Sequence, residues 1–376
     1  MALDSIETAL AAIAAGELVV VVDDTDRENE GDLIMAASKA TPEKLAFMIR
    51  HTSGIICVPM PAARADALNL EPMVANNIDP FRTAFTVSVD YRVGMTTGIS
   101  ATERTATIRA LAGGNSGPGD FIRPGHIFPL IARQGGVLAR SGHTEAGVDL
   151  ATMAGLEPAG VLAEVVNDDG TVKRLPQLIE FAKEHDLRII SIEDLIAYRL
   201  CTETLLKRVA VVPTNVGGMA AEAYVYDTPF DPLQQVALVI GDVHDQERVP
   251  TRIYREQPLK DVVSRANGEA DPLREAVASI AEHGRRGVIL MLRRAPAFEP
   301  EDDVRKAPQP LTADGTGGEH HGSALKRMQG WREVGVGAQI LRDLGIRSIA
   351  LLTSSERQYV GLGGFGIEIA ETIPLR

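Results

Sequence analysis

Five aliphatic residues in a row, Leu18-Val19-Val20-Val21-Val22, run directly into Asp23-Asp24-Thr25-Asp26-Arg27-Glu28-Asn29-Glu30-Gly31-Asp32. An unbroken apolar run of this length reads as a buried β-strand. Six carboxylates and one arginine therefore gather where that strand leaves the core. So many like charges repel one another unless a cation or a cationic ligand joins them. Hard divalent cations take oxygen ligands, usually one or two carboxylates, with water and substrate filling the remaining positions. A solvated acidic turn is the plainer reading. The embedded Arg27, the Gly31 hinge and the preceding strand favour the cation site instead.

With 376 residues the chain is long enough for two domains, each with its own core. A net charge of −13 argues against nucleic acid or an anionic membrane as a partner. An anionic small substrate stays compatible, because local arginines and a metal can outweigh the global field. Cys57 and Cys201 are the only cysteines, which excludes a disulfide framework and a cysteine zinc site. Asp4, Glu7 and Glu17 stand where a signal peptide would be basic, and no run reaches the roughly 18 apolar residues of a membrane span. A reducing, cytoplasmic location is the expectation.

The patterning alternates between strands and helices. A helix is expected from Asp4 to Ala15, with Asp4 as its cap, and another from about Pro42 to Arg50. Strands are expected at 54–59 and 85–89, then a helix from Ser100 to about Ala112 and a Gly/Pro-rich loop over 113–125. Val161 to Val166 reads as a strand, Leu175 to His185 as a helix, Leu187 to Ile192 as a strand, and a further helix starts at Ser191. Beyond a boundary near 200–212, strands recur at 236–240, 287–292 and 349–353, and 313–322 reads as a mobile loop. Such alternation predicts a layered α/β fold, mixed sheet flanked by helices, in each of two domains.

Three further polar clusters accompany the acidic loop. In Arg123-Pro124-Gly125-His126 a tight turn would present the histidine. Arg140-Ser141-Gly142-His143-Thr144-Glu145 combines an arginine and hydroxyls suited to phosphate with a histidine able to act as ligand or base. Glu164 lies inside an apolar run and needs a partner or a role. Each has a bland alternative as turn residue, hydrogen-bond knot or core ion pair, but their concurrence in one domain points to a site.

The stretch from about Leu18 to Arg199 resembles 3,4-dihydroxy-2-butanone 4-phosphate synthase. The resemblance is carried by DDTDRENEGDLIMAA (23–37), HTSGIICVPM (51–60), TAFTVSVD (83–90), TTGISATERTATI (96–108), DFIRPGHIFPL (120–130) and RSGHTEAGVDLA (140–151). It implies a homodimer that converts the sugar phosphate D-ribulose 5-phosphate to L-3,4-dihydroxy-2-butanone 4-phosphate and formate, using Mg²⁺ or Mn²⁺. By position it implies that Glu28 and His143 hold the metal. It also implies that Arg27, Glu28, Asp32 and the stretch Arg140, Ser141, Gly142, His143, Thr144 contact substrate. His126 and Glu164 match positions essential for activity, and Asp32 is a further acid/base candidate.

Residues 206–376 resemble GTP cyclohydrolase II, most closely in VGVGAQILRDLGIRSIALLTSSERQYVGLGGFGIEI (334–369). That family holds zinc through three cysteines, and this stretch has none. Gln257 stands at the first cysteine position, Gly330 replaces an aspartate two residues before the retained Arg332, and Gln358 replaces a lysine. The expectation is a synthase domain over 1–205 and a non-catalytic cyclohydrolase II-like domain over 206–376, with no zinc. His320 and His321 read as solvent-exposed rather than as substitute ligands. Gly361-Leu362-Gly363-Gly364-Phe365-Gly366 matches a dinucleotide fingerprint but leaves no room for the helix and strand that must follow. Two alternatives remain: a bifunctional enzyme retaining cyclohydrolase activity, and a Mg²⁺-dependent phosphotransferase.

Overall fold

The computed structural model describes residues 3–25, 27–229, 231–256, 272–293, 322–354 and 362–375. The chain forms two compact units, one built on residues up to Tyr198 and the other on Arg199–Gly318 and Gln329–Arg376.

The first unit holds a seven-stranded mixed sheet in the order β4-β5-β3-β6-β2-β1-β7. Its strands are β1 (Val19–Val22), β2 (Gly31–Ala36), β3 (Cys57–Pro61), β4 (Val89–Tyr91), β5 (Phe121–Ala132), β6 (Gly160–Glu164) and β7 (Arg188–Ser191). β1 is buried along its whole length, as an aliphatic run between two helical layers must be. Val20, Val22, Leu33 and Met35 share one core with residues of α2 (Pro42–His51), α3 (Ala62–Ala67), α4 (Ala101–Ala112) and α6 (Leu175–Glu184). Alternation along the strands turns Val21 and Asp32 to the opposite face. There α5 (His143–Met153) lies across β6, β2 and β3, with α1 (Ile6–Ala14) beside it.

Several expectations are corrected. Ser5, not Asp4, caps α1, because the Asp4 carboxylate accepts the Ile189 N–H at 2.9 Å instead. Over 85–89 only Val89 belongs to a regular strand; Phe85 and Thr86 make isolated bridges to Leu130 and Pro72. Residues 123–126 are not a free turn but part of the twelve-residue β5. Glu164 is half-buried at the end of β6 rather than enclosed within it, and Ser53, not an arginine, is its partner.

The second unit contains another seven-stranded mixed sheet, ordered β14-β13-β11-β12-β10-β9-β8. It comprises β8 (Lys207–Val216), β9 (Met219–Thr228), β10 (Asp231–Ile240), β11 (Val249–Arg255), β12 (Gly287–Leu292), β13 (Ser348–Thr353) and β14 (Glu368–Pro374). The runs at 236–240, 287–292 and 349–353 fall on three of its five interior strands, β10, β12 and β13, and β14 takes up the residues after the glycine-rich 361–366. Gln257, His320, His321, Gln358 and most of the 313–322 loop lie outside the described residues.

Candidate active site

The acidic stretch is the connection between β1 and β2, an antiparallel pair in which Val22 faces Gly31. Asp23 organises it from within: its Oδ2 accepts from Arg27 Nη1 at 2.9 Å and the Glu28 N–H at 3.0 Å, and its Oδ1 accepts the Glu30 N–H at 2.8 Å. Arg27 is buried, donates to Glu28 Oε2 at 2.5 Å and stands 5.1 Å over the Phe81 ring. From outside, Arg174 Nη1 donates to the Glu28 and Asn29 carbonyls at 2.7 Å each. The loop is thus held at both its side chains and its backbone.

His143 opens α5 and reaches the same place. Its Nε2 lies 3.1 Å from the Val21 carbonyl, which can only accept, so that nitrogen carries a proton. In the neutral ring the lone pair is then on Nδ1, which stands 3.7 Å from Glu28 Oε2 and 3.8 Å from Asp32 Oδ1. Donor atoms of Asp23, Glu28 and His143 all lie within 4.8 Å of one another. Asp23 was not singled out from sequence, though it heads the acidic run; its oxygens are already engaged by Arg27 and two backbone N–H groups.

The electrostatics follow from this crowding. Burial works against the Glu28 carboxylate, but the His143 imidazole 3.7 Å away and the charge of Arg27 outweigh it and bring its pKa down to about 2. Asp32, fully enclosed, is pushed up to about 8 by burial, helped by Glu164, Glu28 and Asp23 against the pull of His143. Burial would lower His143, yet Asp32, Glu28 and Asp23 raise it to about 9. Both Asp32 and His143 are therefore held on their protonated side at neutral pH.

Glu164 sits directly opposite Asp32 in the β2–β6 ladder. Its Oε2 accepts from Ser53 Oγ at 2.6 Å, and the Glu164 carbonyl accepts the Ser53 N–H at 2.8 Å. Both residues line a cleft of about 470 Å³ with Glu30, Thr52 and Ile55. In the β3–β5 register His126 is level with Ile55, at the same end of the sheet. It is three strand positions from Asp32, roughly 14 Å at the usual spacing, so within one chain it stands apart from the Glu28–His143 pair.

Arg140, Ser141 and Gly142 lead into α5, with Gly142 at the cap and His143 and Thr144 buried in the first turn. Arg140 Nη1 donates to the buried Glu145 at 2.7 Å and its Nη2 to the Phe81 carbonyl at 3.2 Å. A helix start flanked by arginine suits an anion, since its first N–H groups lack intrahelical partners.

A mixed α/β sheet whose strand ends gather acids, histidines and arginine is the architecture of an enzyme acting on a small polar molecule. The family model for 3,4-dihydroxy-2-butanone 4-phosphate synthase matches residues 7–198, and that for GTP cyclohydrolase II matches 207–374. The riboflavin biosynthesis protein RibBA of Nocardia farcinica is 46% identical, across 99% of this chain and 90% of its own. A crystal structure of RibBX, described as a two domain 3,4-dihydroxy-2-butanone 4-phosphate synthase from A. baumannii, superposes with a TM-score of 0.75 at 34% identity and 99% coverage of both chains. A second synthase structure, in complex with two magnesium ions, covers 53% of this chain and 98% of its own at 45% identity and a TM-score of 0.52. The chain belongs to the 3,4-dihydroxy-2-butanone 4-phosphate synthase family, fused to a domain of the GTP cyclohydrolase II family, and is an enzyme of riboflavin biosynthesis. Among the described residues, no helix is long and apolar enough to cross a membrane.

Proposed function

We propose that the domain over residues 1–205 converts D-ribulose 5-phosphate to L-3,4-dihydroxy-2-butanone 4-phosphate and formate with Mg²⁺ or Mn²⁺, in the cytoplasm. The observation that carries this is the 3.7 Å approach of Glu28 Oε2 to His143 Nδ1, with His143 Nε2 anchored on a backbone carbonyl. A carboxylate oxygen and an imidazole nitrogen so oriented fit a hard to borderline divalent ion, and Glu28 and His143 would hold it. Such an ion supplies Lewis-acid stabilisation of negative charge on sugar oxygens.

The chain's own groups divide the remaining work. Arg140, Ser141, Gly142 and Thr144, at the start of α5, suit the phosphate and would fix the substrate by its inert end. Arg27 holds Glu28 in place and, with Asp32, borders the substrate. Asp32, with a pKa near 8, is poised to take and return a proton near neutral pH. Glu164 and His126 are the other acid/base groups, at the same end of the sheet.

The second domain, over 206–376, is read as non-catalytic and without zinc, because it contains no cysteine. A homodimer is supported by the large apolar side chains that the first unit exposes, Ile78 at 84% among them. The test is formate release from D-ribulose 5-phosphate with added Mg²⁺. Glu28→Ala should abolish it while leaving the circular dichroism unchanged. Substantial turnover by a folded, metal-saturated Glu28→Ala protein would sink the reading.

A further inference from the structure

The β4–β5 ladder is interrupted where it meets His126. Val89 faces Ile127 but Asp90 faces Ile122, so residues 123–126 bulge out of register. Asp90 fills the gap. Its Oδ1 accepts the His126 backbone N–H at 2.9 Å, and its Oδ2 lies 2.7 Å from His126 Nδ1. The Asp90 side chain is 5% exposed, whereas the imidazole is 40% exposed. Gly98, at φ +82, closes the pair from above, and a Cβ there would collide with the Asp90 carboxylate and come within 2.9 Å of His126 Nδ1. Arg104, buried in α4, lies near enough for its charge and that of Asp90 to favour each other.

We propose that Asp90 is a positioning residue that locks His126 in the Nδ1–H tautomer, leaving the lone pair on Nε2 at the accessible edge of the ring. A carboxylate only accepts, so both hydrogens it meets must come from His126: the backbone N–H and the ring Nδ1–H. A carboxylate needed merely to fill the bulge would require the first bond alone. The inference rests on reading His126 as an acid/base group of the synthase reaction.

Asp90→Asn separates the two roles. Asparagine offers one acceptor oxygen where aspartate offers two. The His126 N–H takes that oxygen, the amide NH₂ then faces Nδ1, and the ring must move its hydrogen to Nε2. The variant should keep its fold and KM, while kcat falls by about 100-fold or more, as when a triad aspartate is so changed. In ¹⁵N-histidine-labelled full-length protein at neutral pH, the His126 signal, assigned by its loss in His126→Gln, should switch from the Nδ1–H to the Nε2–H pattern. Wild-type kcat in Asp90→Asn beside an inactive His126→Gln overturns this inference alone. Activity in His126→Gln overturns the reading beneath it. Should Asp90→Asn fail to fold, the wild-type spectrum decides: an Nε2–H tautomer refutes the proposal and an Nδ1–H tautomer upholds it.

Discussion

His143 Nδ1 lies within 4 Å of both the Glu28 and the Asp32 carboxyl groups, and this electrostatic crowding makes the metal-free site sensitive to pH. His143 is raised from 6.5 to about 9, so its contribution to stability is fully present below pH 6.5 and lost as pH rises through 9. Asp32, raised from 3.8 to about 8, acts in the same direction: the folded chain keeps a proton that the unfolded chain releases. Glu28, lowered from 4.5 to about 2, acts oppositely and loses its contribution only as pH falls toward 2. After chelation the melting temperature should therefore decline from about pH 4, through Asp32, and more steeply from about pH 6.5 to 9, where His143 adds to it. The decline should be shallower in Asp32→Asn. A flat profile in the chelated wild type would refute this account of the pair. A ligating His143 must also be neutral at Nδ1, so ion binding at neutral pH should release about one proton. Calorimetry in buffers of different ionisation enthalpy measures that directly.

At the scale of elements, the site depends on how closely α5 lies on the sheet. A Cβ on Gly160 in β6 would come within 2.9 Å of the Gly147 carbonyl oxygen in α5, a backbone atom that cannot swing aside. Gly160→Ala should cost about 1–3 kcal/mol by overpacking. Since His143 begins α5, the variant should also weaken Mg²⁺ binding; unchanged affinity in a destabilised protein would show that the helix is not what places the histidine. This close packing also explains what could be read from the chain and what could not. β1 was legible because a strand covered on both faces is a continuous apolar run. α5 was not, because nearly every residue from His143 to Ala151 is buried and no apolar stripe marks it. β2 was missed where a charged loop turns into Gly31-Asp32, and β5 where Arg123-Pro124-Gly125-His126 imitates a turn. Of the polar residues named from sequence, the structure brings together Arg27, Glu28, Asp32 and His143, with Glu164 opposite Asp32 on the neighbouring strand. Ser53 and Asp90 are not legible, since their partners lie on other strands and their bonds follow from register rather than spacing. Asp23 is masked by its acidic neighbours, although its partners Arg27, Glu28 and Glu30 are in the same loop.

At the scale of the whole molecule, two measurements bear on the assembly. The first unit exposes Met73, Val74, Ile78, Val93 and Ile99, large apolar side chains that the proposed homodimer is expected to cover. Ile78→Asp should shift the protein toward monomer in sedimentation and reduce formate production; an unchanged dimer would remove this surface from the interface. The purified chain should carry no stoichiometric zinc and release no formate from GTP, because residues 206–376 contain no cysteine. Zinc at one per chain with GTP turnover would reverse that reading.

The hold of Arg174 on the carbonyls of Glu28 and Asn29 has a further consequence. The acidic turn is braced from behind, so its mutually repelling oxygens are assembled during folding and not when an ion arrives. Removing that brace would leave every donor atom in the sequence and still weaken the grip, with the loss appearing as entropy of a loosened turn.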